Sequence, residues 1–275
     1  MKVAAYQAPF LPSGSMAALD LIRKRIDWCE LEGVEILCCP EAILGGLADY
    51  APRPTDIAID AKGGQLDGVL APLASDTVTT ILGFTEITAG GGLYNSAAVF
   101  HLGSVVGLYR KLYPAINTSI YEAGNQIPVF RVGDVTFGIV ICNDSNYLEP
   151  ARIMASPGAT ALFIPTNNGL PPEKADVAAD ARNADIARAI ENSVFVIRAD
   201  VAGRADGMVS YGSSAIVDSD GMVLQSAQRL TEDLIVADID ASPRQRRRGW
   251  DASRNSAVTD EYARLVARNV TWRSS

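Results

Sequence analysis

Histidine is nearly absent. Of 275 residues only His101 carries an imidazole. Multi-histidine metal centres are therefore excluded, and any nucleophile that needed a histidine base would have this single one to use. Cysteine is scarce as well, with Cys29, Cys38, Cys39 and Cys142. None falls in a paired C-x-x-C frame, so neither a zinc site nor a disulfide framework is expected, and no metal or cofactor is assigned. Long apolar runs are missing. No window reaches the ~20 apolar residues of a bilayer span, and MKVAAYQAPF at the N-terminus is interrupted too early by Pro9 for a secretory signal. Positive charge is in deficit, with 24 Lys and Arg against 32 Asp and Glu, a net −8. Nucleic-acid binding draws on a cationic surface, so neither nucleic acid nor a membrane is an expected partner. The expectation is a cytoplasmic protein with reduced thiols.

What is present is a globular composition, 48% hydrophobic and 20% charged, enough for a large core. Apolar β-type runs alternate with helical stretches. Val3–Gln7 reads as a first strand, Met16–Glu32 as an amphipathic helix closed by Gly33, and Val34–Cys39 as a buried strand stopped by Pro40. Ala61–Ala74 is a weaker helical pattern. Val78–Thr88, Tyr94–His101 and Ser104–Tyr109 are β runs joined by Gly-rich turns. Asp134–Cys142 ends in the apolar run FGIVIC. Tyr147–Ser156 and Glu173–Glu191 read as helices, and Ala161–Ile164 and Val194–Arg198 as strands. Ser213–Asp218, Met222–Gln225 and Leu234–Asp238 complete the β content. An Arg-rich tail with a helix over 260–268 follows. The pattern predicts an α/β fold, a mixed sheet with helices on its faces, and a single domain over 1–275.

Three reactive side chains stand at the ends of apolar strands, where open α/β sheets place their ligand crevice. Glu41 follows VEILCCP, Lys111 follows GLYR, and Cys142 terminates FGIVIC. A carboxylate can serve a thiol as base, and an ammonium can favour thiolate and stabilise charge developing on a substrate. Spacing alone makes this grouping weak, because a strand-terminal cysteine is more often a small core residue. Cys38 and Cys39 read as core, and His101 as a surface residue at a hairpin turn.

The stretches CPEAILGG (39–46), GLYRKLYP (107–114) and GIVICND (138–144) change that balance. Together with LYNSAAVF (93–100), AGN…PVF (123–130), ARAIENSVFVIRAD (187–200) and YGSSAIVDSDGMVL (211–224), they make the chain resemble the nitrilase superfamily, the carbon–nitrogen hydrolases. The resemblance runs from Val3 to about Asp240. It implies a four-layer α-β-β-α sandwich that commonly assembles as a homodimer or higher homo-oligomer, with the tail 244–275 in subunit contacts. It also implies a Glu41-Lys111-Cys142 triad that cleaves a non-peptide C–N bond of a small amide through a thioester acyl-enzyme. In that scheme the Asn143 N–H is a second oxyanion donor.

Related amidases and carbamoylases often carry a second glutamate seven positions before a glycine. Here that position holds Asn117, with Glu122 nearby, so these two are the lower-ranked substrate residues. The alternatives are a nitrilase or N-carbamoyl amide hydrolase with the same triad, a non-catalytic binding or scaffold member, and a cysteine protease using His101. A chain of 275 residues is short for nitrile-hydrolysing members, which favours amides. The run Arg244, Arg246, Arg247 and Arg248 reads as solvated or subunit-contact surface. Pocket shape is expected to depend on the loops 113–126, 147–152 and 166–172.

Overall fold

A computed structural model describes residues 1–115 and 119–240, together with Ala257 and Asp260. The chain divides into two compact units, Met1–Ser242 and Pro243–Ser275. Of the second unit only Ala257 and Asp260 are described, both helical, so the Arg244–Arg248 run and the expected tail contacts lie outside the described residues.

In chain order the first unit contains β1 (Lys2–Pro9), α1 (Ala18–Glu32), β2 (Ile36–Cys38), β3 (Ile59–Asp60), α2 (Gln65–Leu70) and β4 (Thr79–Ile87). Next come β5 (Leu93–His101), β6 (Ser104–Arg110), β7 (Val129–Val132), β8 (Val135–Ile139), α3 (Leu148–Ala155) and β9 (Ala161–Pro165). The last are α4 (Ala178–Asn192), β10 (Phe195–Ala199), β11 (Val201–Ala205), β12 (Met208–Ser210), β13 (Ala215–Val217), β14 (Val223–Ser226) and β15 (Asp233–Asp238). One sheet runs β12-β11-β1-β2-β4-β5-β6, with β15 antiparallel to β1 and β3 parallel to β4; the other runs β14-β13-β10-β9-β8-β7.

Burial on both faces explains why the central strands are almost wholly apolar. Along β1, Val3 and Ala5 point into the core between the sheets, where they meet Ile139, Phe163 and Ile197. The alternating residues Ala4, Tyr6 and Ala8 face outward, against Ile22, Ile26 and Cys29 of α1 and Leu66 and Leu70 of α2. Met154 of α3 and Ala189 of α4 pack with the second sheet. Helix, sheet, sheet and helix form the expected four-layer sandwich. Cys38 and Cys39 are fully buried, as read from the sequence. No helix among the described residues is long and apolar enough to cross a membrane.

Several boundaries differ from the sequence expectation. Helix α1 ends where Gly33 turns left-handed (φ 69°), but begins at Ala18, with no side-chain cap at Ala17. The expected helix over 61–74 is shorter, α2 followed by a 3₁₀ turn at Ala71–Leu73. Helix α4 starts five residues later than expected, because Pro171 and Pro172 impose a separate 3₁₀ turn at Pro172–Lys174. Strands β3, β7, β11 and β12 carried no clear pattern. Gly203 interrupts β11, whose pairing with β1 comes from residues nearly two hundred positions away.

Candidate active site

Each member of the candidate triad sits on a turn that leaves the end of a strand. Glu41 follows β2 in a turn where Ala42 takes a left-handed φ of 46°. That turn lies directly on Gly83 of β4, where any Cβ would overlap the Glu41 Cα and the Ala42 nitrogen, so glycine is required by close approach. Lys111 follows β6. Its carbonyl accepts the Gly124 N–H at 2.8 Å, and a Cβ on Gly124 would overlap the Arg110 carbonyl. Cys142 opens the 3₁₀ turn Cys142–Asn146 with φ 46°, a left-handed conformation that a non-glycine residue adopts only when its surroundings enforce it.

Glu41 and Lys111 are 1% and 4% exposed, so neither is the solvated charge that each would ordinarily be. Lys111 Nζ donates to Glu41 Oε1 at 2.6 Å, Asn95 Nδ2 donates to the same oxygen at 2.7 Å, and the Asn167 N–H donates to Oε2 at 2.8 Å. The Cys142 thiol is directed at Asn168 Oδ1, 3.8 Å away. Asn168 is in turn anchored by its N–H and Nδ2 on Asp200. Glu41, Lys111 and Cys142 all line one cavity of about 260 Å³.

The scaffold behind them was not foreseen from the sequence. Asp144, fully buried, accepts the Ile141 N–H at 3.1 Å, the Tyr113 N–H at 2.8 Å and the Tyr109 hydroxyl at 2.7 Å. It thereby ties the segment flanking Lys111 to the turn carrying Cys142. Arg198, 2% exposed, forms a two-pronged pair with Asp185 and donates to Ser145 Oγ at 2.8 Å. Ser145 Oγ donates to the Cys142 carbonyl at 2.9 Å. The only advance signal for these residues was their place inside the GIVICND and ENSVFVIRAD stretches.

The model of the carbon–nitrogen hydrolase family matches residues 2–248. The chain belongs to that family. A nitrilase of Pyrococcus abyssi is 30% identical over 221 residues, covering 79% of this chain and 81% of the relative. An (R)-stereoselective amidase of a Pseudomonas species is 30% identical over 198 residues, 71% and 69% of the two chains. Among solved structures, Nit3 of Saccharomyces cerevisiae superposes with a TM-score of 0.75 at 20% identity, over 91% of this chain and 97% of Nit3. The amidase of Nesterenkonia sp. AN1, in a form with acrylamide added at its active-site cysteine, gives 0.74 at 23% identity, over 92% and 97%. At these identities the structural likeness shows a shared fold.

Electrostatics in the site of this carbon–nitrogen hydrolase differ from the simple expectation that a lysine makes a thiolate. Burial, first, and the Glu41 charge, second, push the Cys142 thiol up to about 12, outweighing Lys111 and Arg198, which act the other way. That direction favours the thiol over the thiolate at neutral pH. Lys111 moves in the opposite sense to its burial. Desolvation alone would lower it, but Glu41, Cys142 and Asp144 together hold the ammonium above its usual range.

The remaining sequence candidates separate clearly. Asn143 lines the cavity, with its side-chain amide donating to the Tyr113 carbonyl at 3.1 Å. Glu122 does not line it. It is exposed and accepts the Tyr94 hydroxyl, because the chain from Tyr121 onward pairs back along Leu93 and turns this carboxylate outward. Asn117 lies outside the described residues. His101 does not line the cavity either. It is half-buried rather than on the surface, with Nδ1 2.8 Å from Thr79 Oγ1. The walls come from parts of two expected loops, Pro114, Ala115 and Tyr121, and 167–170. None comes from 147–152; the start of α4 and the turn Ala48–Tyr50 contribute instead.

Proposed function

We propose that this carbon–nitrogen hydrolase cleaves a small amide by acyl transfer to Cys142. Glu41 takes the thiol proton as sulfur attacks the carbonyl carbon, and the C=O pair moves onto oxygen. Lys111 and the Asn143 N–H stabilise that oxyanion. Glu41 returns the proton to the nitrogen as the C–N bond breaks, leaving a thioester. Water then adds with its proton going to Glu41, and the carboxylic acid departs as the proton returns to sulfur. One observation carries this reading. A buried Glu41-Lys111 pair and a neutral, burial-raised thiol share one small cavity.

The cavity volume and the amidase among the relatives favour an amide over larger substrates. In this reading the enzyme works in the cytoplasm with its four free thiols reduced. It assembles as a homodimer or larger homo-oligomer, in keeping with the exposed apolar side chains Leu148, Ile153 and Ile190 on its outer helices. Intact mass after exposure to a panel of amides, ureas and nitriles tests it. The expected result is an acyl adduct on Cys142 whose mass gives the acyl part. An adduct from nitriles alone would make the enzyme a nitrilase, and one from ureas alone a carbamoyl hydrolase. Neither turnover nor adduct across the panel would favour a non-catalytic member.

A further inference from the structure

Glu41 carries its hydrogen bonds unevenly. Among the described residues, Oε1 accepts two side-chain donors, Lys111 Nζ and Asn95 Nδ2, whereas Oε2 accepts only the Asn167 N–H. A carboxylate oxygen offers two lone pairs in the plane, so Oε1 is filled and Oε2 keeps one. The lysine does not itself choose between the oxygens, because an ammonium is a point charge on a flexible stem and the last torsion of a glutamate is broad and two-fold. Asn95 does choose. It is 2% exposed on β5, and its backbone carbonyl accepts the Lys111 backbone N–H at 2.8 Å, so one residue touches both the Glu41 carboxylate and the main chain that carries the lysine. Its Oδ1 has no partner among the described residues. The amide is thus turned so that its donor, not its acceptor, meets the carboxylate.

Building on the acyl-transfer reading, we propose that Asn95 is a positioning residue that pins Glu41 Oε1 and leaves Oε2 to exchange protons. In the first half-reaction the S–H bond of Cys142 breaks as Oε2–H forms, and that proton leaves with the nitrogen. In the second, an O–H bond of water breaks as Oε2–H forms again, and the proton returns to the departing sulfur. Nothing is oxidised or reduced. The titratable and charged groups facing Glu41 across the cavity are Lys111, Cys142, Asp49, Tyr50, Tyr121, Asp180 and Arg198, and replacing Asn95 alters none of them directly.

The test is the pH dependence of Cys142 alkylation by iodoacetamide, read by peptide mass, in wild type, Asn95→Leu and Asn95→Asp. This probe requires no knowledge of the substrate. Loss of a hydrogen bond to the charged form raises a carboxyl, so Asn95→Leu should move the acid limb up by about half to one pH unit. Misorientation should also slow alkylation near neutral pH by about tenfold. Asn95→Asp has the same shape, and should move the limb further by placing a second carboxylate beside Glu41. It also carries the test if the leucine variant does not fold. An acid limb unmoved in the folded variants, while wild-type alkylation still depends on Glu41, overturns the role of Asn95 alone. Wild-type alkylation unchanged by Glu41→Gln would overturn the acyl-transfer reading, and this inference with it.

Discussion

Two consecutive cations close β6, Arg110 and Lys111, and each meets a buried glutamate. Glu86, 1% exposed, accepts Arg110 Nε at 2.8 Å and Arg110 Nη2, and the Ser96 hydroxyl at 2.7 Å. Glu41, equally buried, also accepts three donors. Neither burial nor hydrogen-bond count separates the two pairs. The nature and surroundings of the donors do. A guanidinium fork grips both oxygens of Glu86, and Arg110 also lies over the Tyr94 ring at 4.0 Å. That pair does not line the cavity. The Lys111 ammonium holds one oxygen only, and the Glu41 carboxylate shares the cavity with a thiol. With three donors each, the carboxylate gripped by a guanidinium fork away from the cavity is a brace, and the one that shares the cavity with a thiol is placed where our proposal needs a base.

The largest effect should come from removing what makes the second pair different. Cys142→Ala should cost about 10⁴-fold or more in hydrolysis, by analogy with other nucleophile deletions, while the circular dichroism stays native. Retention of more than a tenth of the rate would return Glu41 and Lys111 to the same class as Glu86 and Arg110. A crossed pair of variants sharpens the comparison. Glu41→Gln and Glu86→Gln should each lower the melting temperature, since each strips a buried carboxylate from a cation, at about 1–3 kcal/mol. Only Glu41→Gln should also cost about 10²-fold or more in hydrolysis, the usual worth of a general base. Equal losses of activity in both would show that the distinction drawn here is wrong.

The smallest effect is in stability at alkaline pH. The Cys142 thiol rises from 9.0 to about 12 in the folded protein. A group raised on folding contributes stability that is complete below its unfolded value and is lost as pH climbs through the folded one. Between about pH 8 and about pH 10, wild type should therefore lose on the order of 1 kcal/mol more than Cys142→Ala. Parallel melting curves across that window would mean the thiol is not held neutral by its burial.

The strands and the first helix were readable because their signals are local. The period of β4–β6, and the Gly33 stop of α1, lie within the segments they define. Strand β11 was not readable, since what makes Val201–Ala205 a strand is β1 beside it. That Glu41, Lys111 and Cys142 would share one cavity was readable only because three separate boxes occur in one chain. Asp144, Asn95 and Arg198 were not, because each acts through partners 13 to 54 positions away. Glu122 misled for the same reason. Proximity to the glycine at 124 says nothing of which way a carboxylate turns, and the hydroxyl of Tyr94, brought alongside by the sheet, draws it outward.

What the sequence by itself determined is the inventory: one histidine, four cysteines of which one ends the FGIVIC run, and a glutamate and a lysine each following an apolar run. That inventory admits carboxylate-assisted thiol chemistry, and only the resemblance of three stretches to one family favours it over a core cysteine and two solvated charges. Only the tertiary structure decided which glutamate shares a cavity with the thiol, that burial pushes the thiol up, and that Gly83 must be bare where the Glu41 turn crosses it. The reason is physical. Charge state and orientation depend on desolvation and on donors brought together from distant segments, and neither quantity exists until the chain has closed on itself.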